Sequence, residues 1–313
     1  MDWLYVVLGL VILLLAGDSL VKGAVNLALR LGVPALIVSL TIVAFGTSAP
    51  ELLISVQAIL EGVPGIALGN VVGSNTANIL LVLGIPALLA TMHTSECDTR
   101  HSYLQMIAAS VLFIGLAFLG SFTWTSGLIL LAALAAMLTH AFLSARAHRN
   151  SCAQDPEEEV EGADPDMPWK KIFLFLVLGL IGLPLGANLL VDGATSIART
   201  YGLSETVIGL TLVAIGTSLP ELATTVMAAL RRQADVALGN VIGSNMFNLL
   251  GIIGVASLVG PIPVESTFLT FDLWIMLGAS LLLLSFVFFQ QDITRVWGVV
   301  LTALYLAYIV IIL

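Results

Sequence analysis

Two glutamates lie where an apolar sequence would not be expected to keep a charge. Glu51 and Glu221 each fall near the middle of a long apolar stretch. A carboxylate at the centre of a membrane-spanning helix costs about 2.5–3.5 kcal/mol or more, so it persists only where a partner neutralises it. No Lys or Arg lies centrally in the helices predicted around them. All four histidines fall in loops or at helix ends: His93, His101, His140 and His148. A bound cation or a proton remains as the partner.

Both glutamates belong to a set of motifs that occurs twice at an offset of 170 residues. The first motif, Gly-Thr-Ser-x-Pro-Glu-Leu, occupies 46–52 and 216–222. The second, Gly-Asn-x-x-Gly-Ser-Asn-x-x-Asn, occupies 69–78 and 239–248. Around these motifs, 24 of 45 ungapped positions are identical between the copies. Chance similarity between apolar segments does not place polar residues at fixed offsets, so the chain contains an internal repeat.

The side chains around each glutamate are oxygen donors without thiolate or imidazole groups. Such sets suit Ca²⁺, Mg²⁺ or Na⁺ and disfavour zinc, copper and iron. Two carboxylates that converge on one divalent ion balance its charge. Pro50 and Pro220 each remove a backbone hydrogen bond, and we expect the loosened turns to free nearby carbonyls for coordination. The candidate ligands are Glu51, Glu221, Thr47, Ser48, Ser74, Asn78, Thr217, Ser218, Ser244 and Asn248, with the carbonyls of Ala44 and Ala214.

Other motif residues have structural explanations that compete with ion binding. Four glycines recur at a four-residue spacing, for which close helix packing is the favoured interpretation: Gly69, Gly73, Gly239 and Gly243. Four asparagines either contact an ion or hydrogen-bond the broken backbone, and the second role is favoured: Asn70, Asn75, Asn240 and Asn245.

Asp18 and Lys22 form a further polar pair, inside the first apolar stretch. Their four-residue spacing predicts that they pair on one helix face. Asp192 aligns with Lys22 at the repeat offset. We interpret all three residues as structural or interfacial.

The composition indicates a membrane protein. Of the 313 residues, 59% are hydrophobic and 10% are charged, whereas soluble domains carry about 25% charged residues. This disfavours a cytosolic enzyme, a nucleic-acid binder or a secreted disulfide scaffold, and the two cysteines, Cys97 and Cys152, give no disulfide framework. We expect an integral protein of a prokaryotic inner or plasma membrane, with no nucleic-acid partner and no obligatory protein partner.

At about 20 residues per span, the sequence predicts an all-α membrane protein with ten transmembrane helices. The predicted spans are 3–29, 33–59, 66–91, 103–120, 123–144, 169–199, 204–230, 236–260, 268–289 and 294–312. Each repeat holds five spans, one repeat covering 1–146 and the other 169–313. Because five is odd, the second repeat must be inverted, so the polar motifs of both meet near mid-membrane.

The linker and the basic residues predict which way the chain crosses the membrane. The linker 147–168 holds seven of the 20 acidic residues and is typical of a solvated tether. If the spans alternate, nine of the 11 Lys and Arg residues fall on one side and only Arg199 on the other, with Lys22 inside a helix. The positive-inside rule then places both termini outside and the linker in the cytoplasm.

The doubled motifs resemble those of the calcium:cation antiporter superfamily, the sodium/calcium exchangers, over essentially the whole transmembrane chain. The resemblance implies that Glu51 and Glu221 share a Ca²⁺ ion, which the carbonyls of Thr47 and Thr217 complete. It also implies outer and inner Na⁺ sites and a central position, built from Ser48, Ser74, Ser218, Ser244, the Ala44 and Ala214 carbonyls, and Asn78 and Asn248. Some exchangers carry Asp at the position of Asn248, whereas this chain has Asn in both copies, which leaves no third titratable group.

The leading hypothesis is a secondary active antiporter that exchanges Ca²⁺ for Na⁺ by alternating access. A Ca²⁺/H⁺ exchanger is the alternative within the superfamily, and the many hydroxyl donors favour Na⁺ over a proton. A cation channel uses similar ligands but shows no obligatory counter-transport. An intramembrane hydrolase is disfavoured because no His lies at membrane depth to activate Ser48. We therefore expect no enzymatic activity, no catalytic residue and no cofactor.

Overall fold

The computed structural model describes residues 2–97, 99–151, 164, 166–201 and 214–312. These residues are almost entirely helical, as the sequence predicts. Within the described part, the strands are the two-residue β1 (Ser121–Phe122) and β2 (Ile262–Pro263), which pair antiparallel.

The helices follow the two repeats. Those of the first repeat are α1 (Asp2–Leu31), α2 (Ala35–Thr47), α3 (Ala49–Leu60), α4 (Pro64–Leu89), α5 (Arg100–Ala117) and α6 (Trp124–Ser151). Those of the second are α7 (Trp169–Thr200), α8 (Ala214–Thr217), α9 (Leu219–Leu230), α10 (Ala234–Val259), α11 (Phe268–Phe288) and α12 (Arg295–Ile312). Turns at 81–83 interrupt α4, and π-helical turns occur in α2, α10 and α11.

The described helices coincide with the predicted spans. Seven of them are long and apolar enough to cross a membrane, and the pair α2 and α3, bent by 42°, makes an eighth if it forms one span. The predicted span 204–230 is described only from Ala214 onward. Most of the acidic linker, with Cys152, lies outside the described residues, although α6 extends to Ser151 and so includes the first five residues assigned to the tether.

Two repeat-equivalent helices, α4 and α10, form the centre of the molecule. In the most apolar window of each, 83% of the residues are buried, against 22–39% for the other candidate spans. A helix that is buried on all sides belongs to a protein core, whereas one with exposed apolar residues faces lipid here. The second motif of each repeat, at 69–78 and 239–248, therefore lies on one of these two central helices.

Helices α1 and α7 show directly that the repeats are inverted. Gly9, early in α1, lies against Leu190, late in α7, so that a Cβ at Gly9 would be 2.6 Å from the Leu190 backbone nitrogen. Gly23, late in α1, lies against Leu176, early in α7. The two helices are thus antiparallel, and small residues let their backbones approach closely. Because they hold equivalent places in the two repeats, the predicted inversion is confirmed.

A group of charged side chains ties α1 to α9. Asp18 pairs with Lys22 at 2.8 Å, as the spacing predicted. It also accepts a hydrogen bond from Nε of Arg231, just after α9, at 2.5 Å. Spacing along the chain does not predict this second partner, because tertiary packing brings it to α1. At the cytoplasmic end predicted for α1, Arg30 donates hydrogen bonds to the Met167 carbonyl and so holds the end of the linker.

A second group of polar contacts joins the loop after α4 to the loop before α12. His93 Nδ1 lies 2.9 Å from an Asp292 carboxylate oxygen, and the Ser95 backbone N–H donates to the other oxygen at 3.1 Å. Burial alone would raise the pKa of Asp292, but the hydrogen bonds from Ser95 and His93 outweigh it and hold that pKa below its usual range. The carboxylate is therefore ionised at neutral pH, and its contribution to stability is lost only as the pH falls through this lowered pKa.

Asp18→Asn is expected to destabilise the protein in detergent. The substitution leaves two partly buried cations, Lys22 and Arg231, without their shared carboxylate. Because the group is neither fully buried nor fully exposed, we expect a loss of roughly 1–3 kcal/mol, seen as a lower midpoint of thermal unfolding. Asp192→Asn is the matched control: its carboxylate is exposed on α7 and should leave the midpoint unchanged. Equal midpoints for both variants would show that the ion-pair group does not stabilise the fold.

Candidate functional site

Each glutamate lies in the first turn of a helix that restarts after a break. Ser48 separates α2 from α3 with φ −83° and ψ 3°, and Ser218 separates α8 from α9 with φ −87° and ψ 4°. Proline follows two residues after each break, in the first helical turn, where its missing N–H is not needed. The glutamate comes next, in the first turn of the new helix, near the positive end of the helix dipole. The sequence Ser-x-Pro-Glu thus builds the same anion-tolerant turn twice.

The two carboxylates are buried and lack a basic partner in the described part of the chain. Glu51 and Glu221 are each 1% exposed. The hydroxyl of Ser48, three residues before Glu51, bonds Glu221, and none of the ion pairs found among the described residues includes either glutamate. One oxygen of each, Oε2, has no hydrogen-bond partner there. This is the unneutralised buried pair that the sequence predicted.

Asn70 fixes the turn that carries Glu51. Its side-chain Nδ2 donates to the Glu51 carbonyl at 3.2 Å and to Ser55 Oγ at 3.1 Å. The amide on α4 therefore satisfies backbone groups of α3, which is the role favoured for it from the sequence. Ser55 was not identified as part of the arrangement.

The second repeat contains the same arrangement. Asn240 Nδ2 donates to the Glu221 carbonyl at 3.3 Å and to Thr225 Oγ1 at 3.1 Å. Ser55 and Thr225 are separated by the repeat offset of 170, and both carry a hydroxyl. A comparison of the two copies that scored chemical class rather than identity would have pointed to them.

Hydroxyls of the first repeat reach across to the second. Ser48 Oγ donates to Glu221 Oε1 at 3.2 Å. Thr47 Oγ1 lies 3.4 Å from Ser244 Oγ and 3.3 Å from Asn240 Oδ1. The structure thus brings together candidate ligands that are about 170 to 200 positions apart in the chain, and the predicted meeting of the two motifs is confirmed.

One expectation about the backbone is wrong. The Ala44 carbonyl is not freed by the break, because it accepts hydrogen bonds from Ser48 N at 3.0 Å and from Thr47 Oγ1 at 3.2 Å. Pro50 removes the donor that would otherwise bond the carbonyl four residues earlier, at Gly46, and leaves the donor to Ala44 intact. Because both lone pairs of this carbonyl accept hydrogen bonds, it can coordinate a cation only when one of these bonds is released.

Four buried asparagines lie on the central helices α4 and α10 and are called the asparagine layer: Asn75, Asn78, Asn245 and Asn248. Asn78 Nδ2 donates to Asn245 Oδ1 at 3.0 Å. Asn245 Nδ2 in turn lies 3.7 Å from Met106 Sδ, and Asn75 Nδ2 lies 3.7 Å from Met276 Sδ. Neither methionine was identified from the sequence, although the two are also 170 residues apart.

The structure also gives the burial or helix position of the remaining candidates. Asn248 is 1% exposed, and neither its Nδ2 nor its Oδ1 has a partner in the described part of the chain. Ser218 is buried at the break, and Ser74 is buried on α4 without a direct hydrogen bond to the other candidates among the described residues. Ala214 and Thr217 begin and end α8.

The glycine spacing has the predicted packing role in the second repeat. A Cβ at Gly239 would lie 2.8 Å from the Leu36 carbonyl, and one at Gly243 would collide with the Leu40 carbonyl. Helix α10 is therefore pressed against α2. No comparable clash exists for Gly69 or Gly73 among the described residues. The residues at the repeat offset from Leu36 and Leu40 fall within 202–213, outside the described part.

The donor chemistry of the site is that of hard cations. The described residues contain no cluster of three or more His, Cys, Asp or Glu side chains that could hold a metal ion, so an ion at this site would meet two carboxylates and neutral oxygens. Among the candidate ligands, five buried side-chain oxygens have no hydrogen-bond partner in that part of the chain: Glu51 Oε2, Glu221 Oε2, Asn78 Oδ1, Asn248 Oδ1 and Ser218 Oγ. Ca²⁺ and Na⁺ bind such sets, whereas zinc and copper prefer nitrogen and sulfur.

Known proteins share both the sequence and the fold. The family model for the sodium/calcium exchanger protein matches residues 1–143 and 171–313. The putative antiporter CaxA of Alkalimonas amylolytica is 38% identical over 286 residues, 90% of this chain and 88% of CaxA. The sodium/calcium exchanger MaX1 of Methanosarcina acetivorans is 36% identical over 349 residues, 99% of this chain and 98% of MaX1.

A solved structure extends the likeness to three dimensions. The sodium-calcium exchanger NCX_Mj soaked with zero Na⁺ and Ca²⁺ matches with a TM-score of 0.84 at 32% identity, covering 100% of this chain and 99% of that chain. The family match covers both repeats and leaves out the acidic linker between them. This protein therefore belongs to the sodium/calcium exchanger family.

Proposed function

We propose that this antiporter exchanges Ca²⁺ for Na⁺ by alternating access, with the ions bound at mid-membrane between the two repeats. The observation that carries the proposal is the buried pair Glu51 and Glu221, which lies without a basic partner in the described part of the chain. Membership of the family already makes the protein a membrane antiporter for Ca²⁺ and a second cation. The coupling ion and the residues that bind each ion are what the proposal adds.

The charge balance supports Ca²⁺ as one substrate. Two carboxylates and one divalent cation sum to zero, and this matters most in an interior of low dielectric constant. Ca²⁺ takes six to eight oxygen ligands, so neutral oxygens must complete its coordination. In the proposed site, the carbonyls of Thr47 and Thr217 do so.

The neutral donors support Na⁺ as the coupling ion. A proton needs one base, whereas Na⁺ needs several oxygens. The proposed Na⁺ ligands are Ser48, Ser74, Ser218 and Ser244, with the Ala44 and Ala214 carbonyls, and with Asn78 and Asn248 at the centre. Asn248 cannot carry a proton in place of a carboxylate, which further favours Na⁺ over the Ca²⁺/H⁺ alternative. MaX1 and NCX_Mj, which resemble this chain along its whole length, are named as sodium/calcium exchangers.

Shared ligands account for coupled exchange. If Ca²⁺ and Na⁺ both use Glu51 and Glu221, binding of one ion excludes the other. An unloaded site then keeps two carboxylates buried without a counter-charge, which disfavours passage through an occluded empty state. In this proposal the protein is a transporter and has neither enzymatic activity nor a cofactor.

The proposed topology completes the assignment. The relatives come from a bacterium and an archaeon, which supports location in a prokaryotic plasma membrane. The distribution of basic residues supports termini outside and the linker 147–168 in the cytoplasm.

Glu51→Gln and Glu221→Gln should each reduce Ca²⁺ flux to the background of protein-free liposomes. Each substitution removes one of the two charges that balance the divalent ion. The midpoint of thermal unfolding in metal-free buffer should be unchanged or raised, because a buried charge is gone. Glu61→Gln is the control, since Glu61 is exposed at the end of the same helical segment and hydrogen-bonded to Gln57. Full flux in either buried variant would contradict the shared site.

Ser74→Ala and Ser244→Ala should weaken Na⁺-driven exchange more than Ca²⁺ affinity. Each removes one neutral oxygen from a Na⁺ site, while the two carboxylates and the threonine carbonyls remain. A lost ligand of this kind is worth about 1–3 kcal/mol, by analogy with a broken buried hydrogen bond. The Na⁺ concentration for half-maximal flux should therefore rise about fivefold or more. Ser257→Ala, a buried serine that bonds the Gly254 carbonyl of its own helix at 3.0 Å, is the control. An unchanged Na⁺ requirement in both site variants would count against Na⁺ coordination by these hydroxyls.

Cys152 tests the topology. In a Cys97→Ser background, a thiol reagent that cannot cross membranes should miss Cys152 in intact cells and label it in inverted vesicles. Glu61→Cys, in the loop predicted outside, should show the opposite pattern. Labelling of Cys152 from outside would overturn the orientation.

A further inference from the structure

The scaffold around the site keeps the symmetry of the two repeats. The asparagine that holds each glutamate carbonyl occurs in both halves, with distances of 3.2 and 3.3 Å. The contacts of Asn75 with Met276 and of Asn245 with Met106 are likewise related by the 170-residue offset, and both measure 3.7 Å. A bond found in one half is therefore expected in the other unless the site itself is asymmetric.

The bonds inside the site do not keep this symmetry. Asn78 Nδ2 donates to Asn245 Oδ1 at 3.0 Å. The two atoms that would form the equivalent bond, Asn248 Nδ2 and Asn75 Oδ1, both lack a partner among the described residues. All four side chains are 1% exposed, so bulk water does not compensate the unpaired groups.

A second bond breaks the symmetry in the same direction. Ser48 Oγ donates to Glu221, whereas Ser218 Oγ, its equivalent, has no partner in the described chain. Both of these bonds run from a donor in the first repeat to an acceptor in the second. Their two missing equivalents would run from the second repeat to the first. A longer bond, from Asn245 Nδ2 to the Asn75 carbonyl at 3.5 Å, does run from the second repeat to the first and also has no equivalent among the described residues. The interface has therefore adopted one of two arrangements that are chemically equivalent.

We propose that Asn75 and Asn245 are positioning residues for transport. Each accepts a hydrogen bond from the central asparagine of the opposite repeat, Asn248 or Asn78, in one of the two access states. In the state seen here, Asn245 holds Asn78. In the opposite state, Asn75 holds Asn248 and the bond between Asn78 and Asn245 is released. The inference rests on the proposed function in one respect, that the protein alternates between two access states.

The thioethers of Met106 and Met276 explain why Asn245 and Asn75 can act as hydrogen-bond acceptors. A sulfur atom is a weak hydrogen-bond acceptor, and it engages the Nδ2 group of each asparagine. The Oδ1 atom of Asn75 or Asn245 is thereby presented as the acceptor. Asn78 and Asn248 both have an Oδ1 without a partner in the described part of the chain, and of the two only Asn78 is held by a hydrogen bond from its Nδ2 group. The exchange of bonds thus changes which central amide is held for coordination.

The test compares Asn245→Ala with Asn75→Ala in buffer free of Na⁺ and Ca²⁺. Hydrogen–deuterium exchange is measured in α3 and α9, equivalent helices of inverted repeats, which are expected to be hydrated from opposite sides as access alternates. Asn245→Ala removes a bond of the present state and should shift the ratio of exchange in α3 to that in α9 in one direction. Asn75→Ala removes the bond of the other state and should shift the ratio in the opposite direction. A lost buried hydrogen bond corresponds to a change of about tenfold in the population ratio.

Conservative variants keep the test decisive if an alanine variant does not fold. Met106→Leu and Met276→Leu remove only the sulfur acceptor at nearly constant volume. Met106→Leu should act in the direction of Asn245→Ala, and Met276→Leu in the direction of Asn75→Ala, with smaller shifts. Ser110→Ala and Ser280→Ala are the matched controls, because these buried hydroxyls bond the Met106 and Met276 carbonyls within their own helices at 2.9 and 3.0 Å. They should not shift the ratio in opposite directions.

The proposal is overturned if the ratio of exchange in α3 to that in α9 shifts in the same direction in both asparagine variants and in both methionine variants, or does not shift. This outcome is separate from failure of the proposed function, because the exchange measurement uses no transported ion. Titration calorimetry of Ca²⁺ and Na⁺ on the wild-type protein reports on ion binding independently. Opposite shifts in a protein that binds neither ion would support the exchange of bonds and contradict the assignment of substrates.

Discussion

The burial of two carboxylates in an apolar interior is the constraint on which the rest of the site depends. Glu51 and Glu221 are almost completely buried and have no basic partner in the described chain. Such charges are tolerated only with compensation. The positive end of the helix that begins after each break offers partial compensation, and the hydroxyl of Ser48 reaches Glu221. A cation between the repeats supplies the remaining charge in the proposed function.

The inverted repeat is what brings the two charges together. One copy supplies a single glutamate on a broken helix, and a two-fold relation places the second opposite it. The glycine contacts of α1 with α7 show the inversion in the packing itself, while α4 and α10 form the buried centre that carries the amides. An inverted pair also has two equivalent ways to satisfy its central polar groups, which suits a protein that must present one site to two sides in turn.

The features that could be predicted from the sequence are those that depend on spacing along the chain. Apolar spans, the doubled motifs, the pairing of Asp18 with Lys22 and the convergence of the motifs all follow from periodicity and offset. Contacts that arise only when distant helices pack could not be foreseen, such as Arg231 on Asp18 or the thioethers of Met106 and Met276 on the asparagine layer. The error at the Ala44 carbonyl came from assigning the effect of Pro50 to the whole turn, when it removes a donor from one carbonyl only. The topology, the linker and the identity of each ion's ligands remain predictions.

The central claim is that Na⁺ drives Ca²⁺ across the membrane through this site. The most direct measurement is ⁴⁵Ca²⁺ uptake by proteoliposomes that contain the wild-type protein, first with Na⁺ loaded inside and absent outside, and then with a pH gradient and no Na⁺. We predict uptake that requires the outward Na⁺ gradient and stops when Na⁺ is equal on both sides. Uptake that follows the pH gradient and ignores Na⁺ would contradict the account and assign the two glutamates to proton coupling.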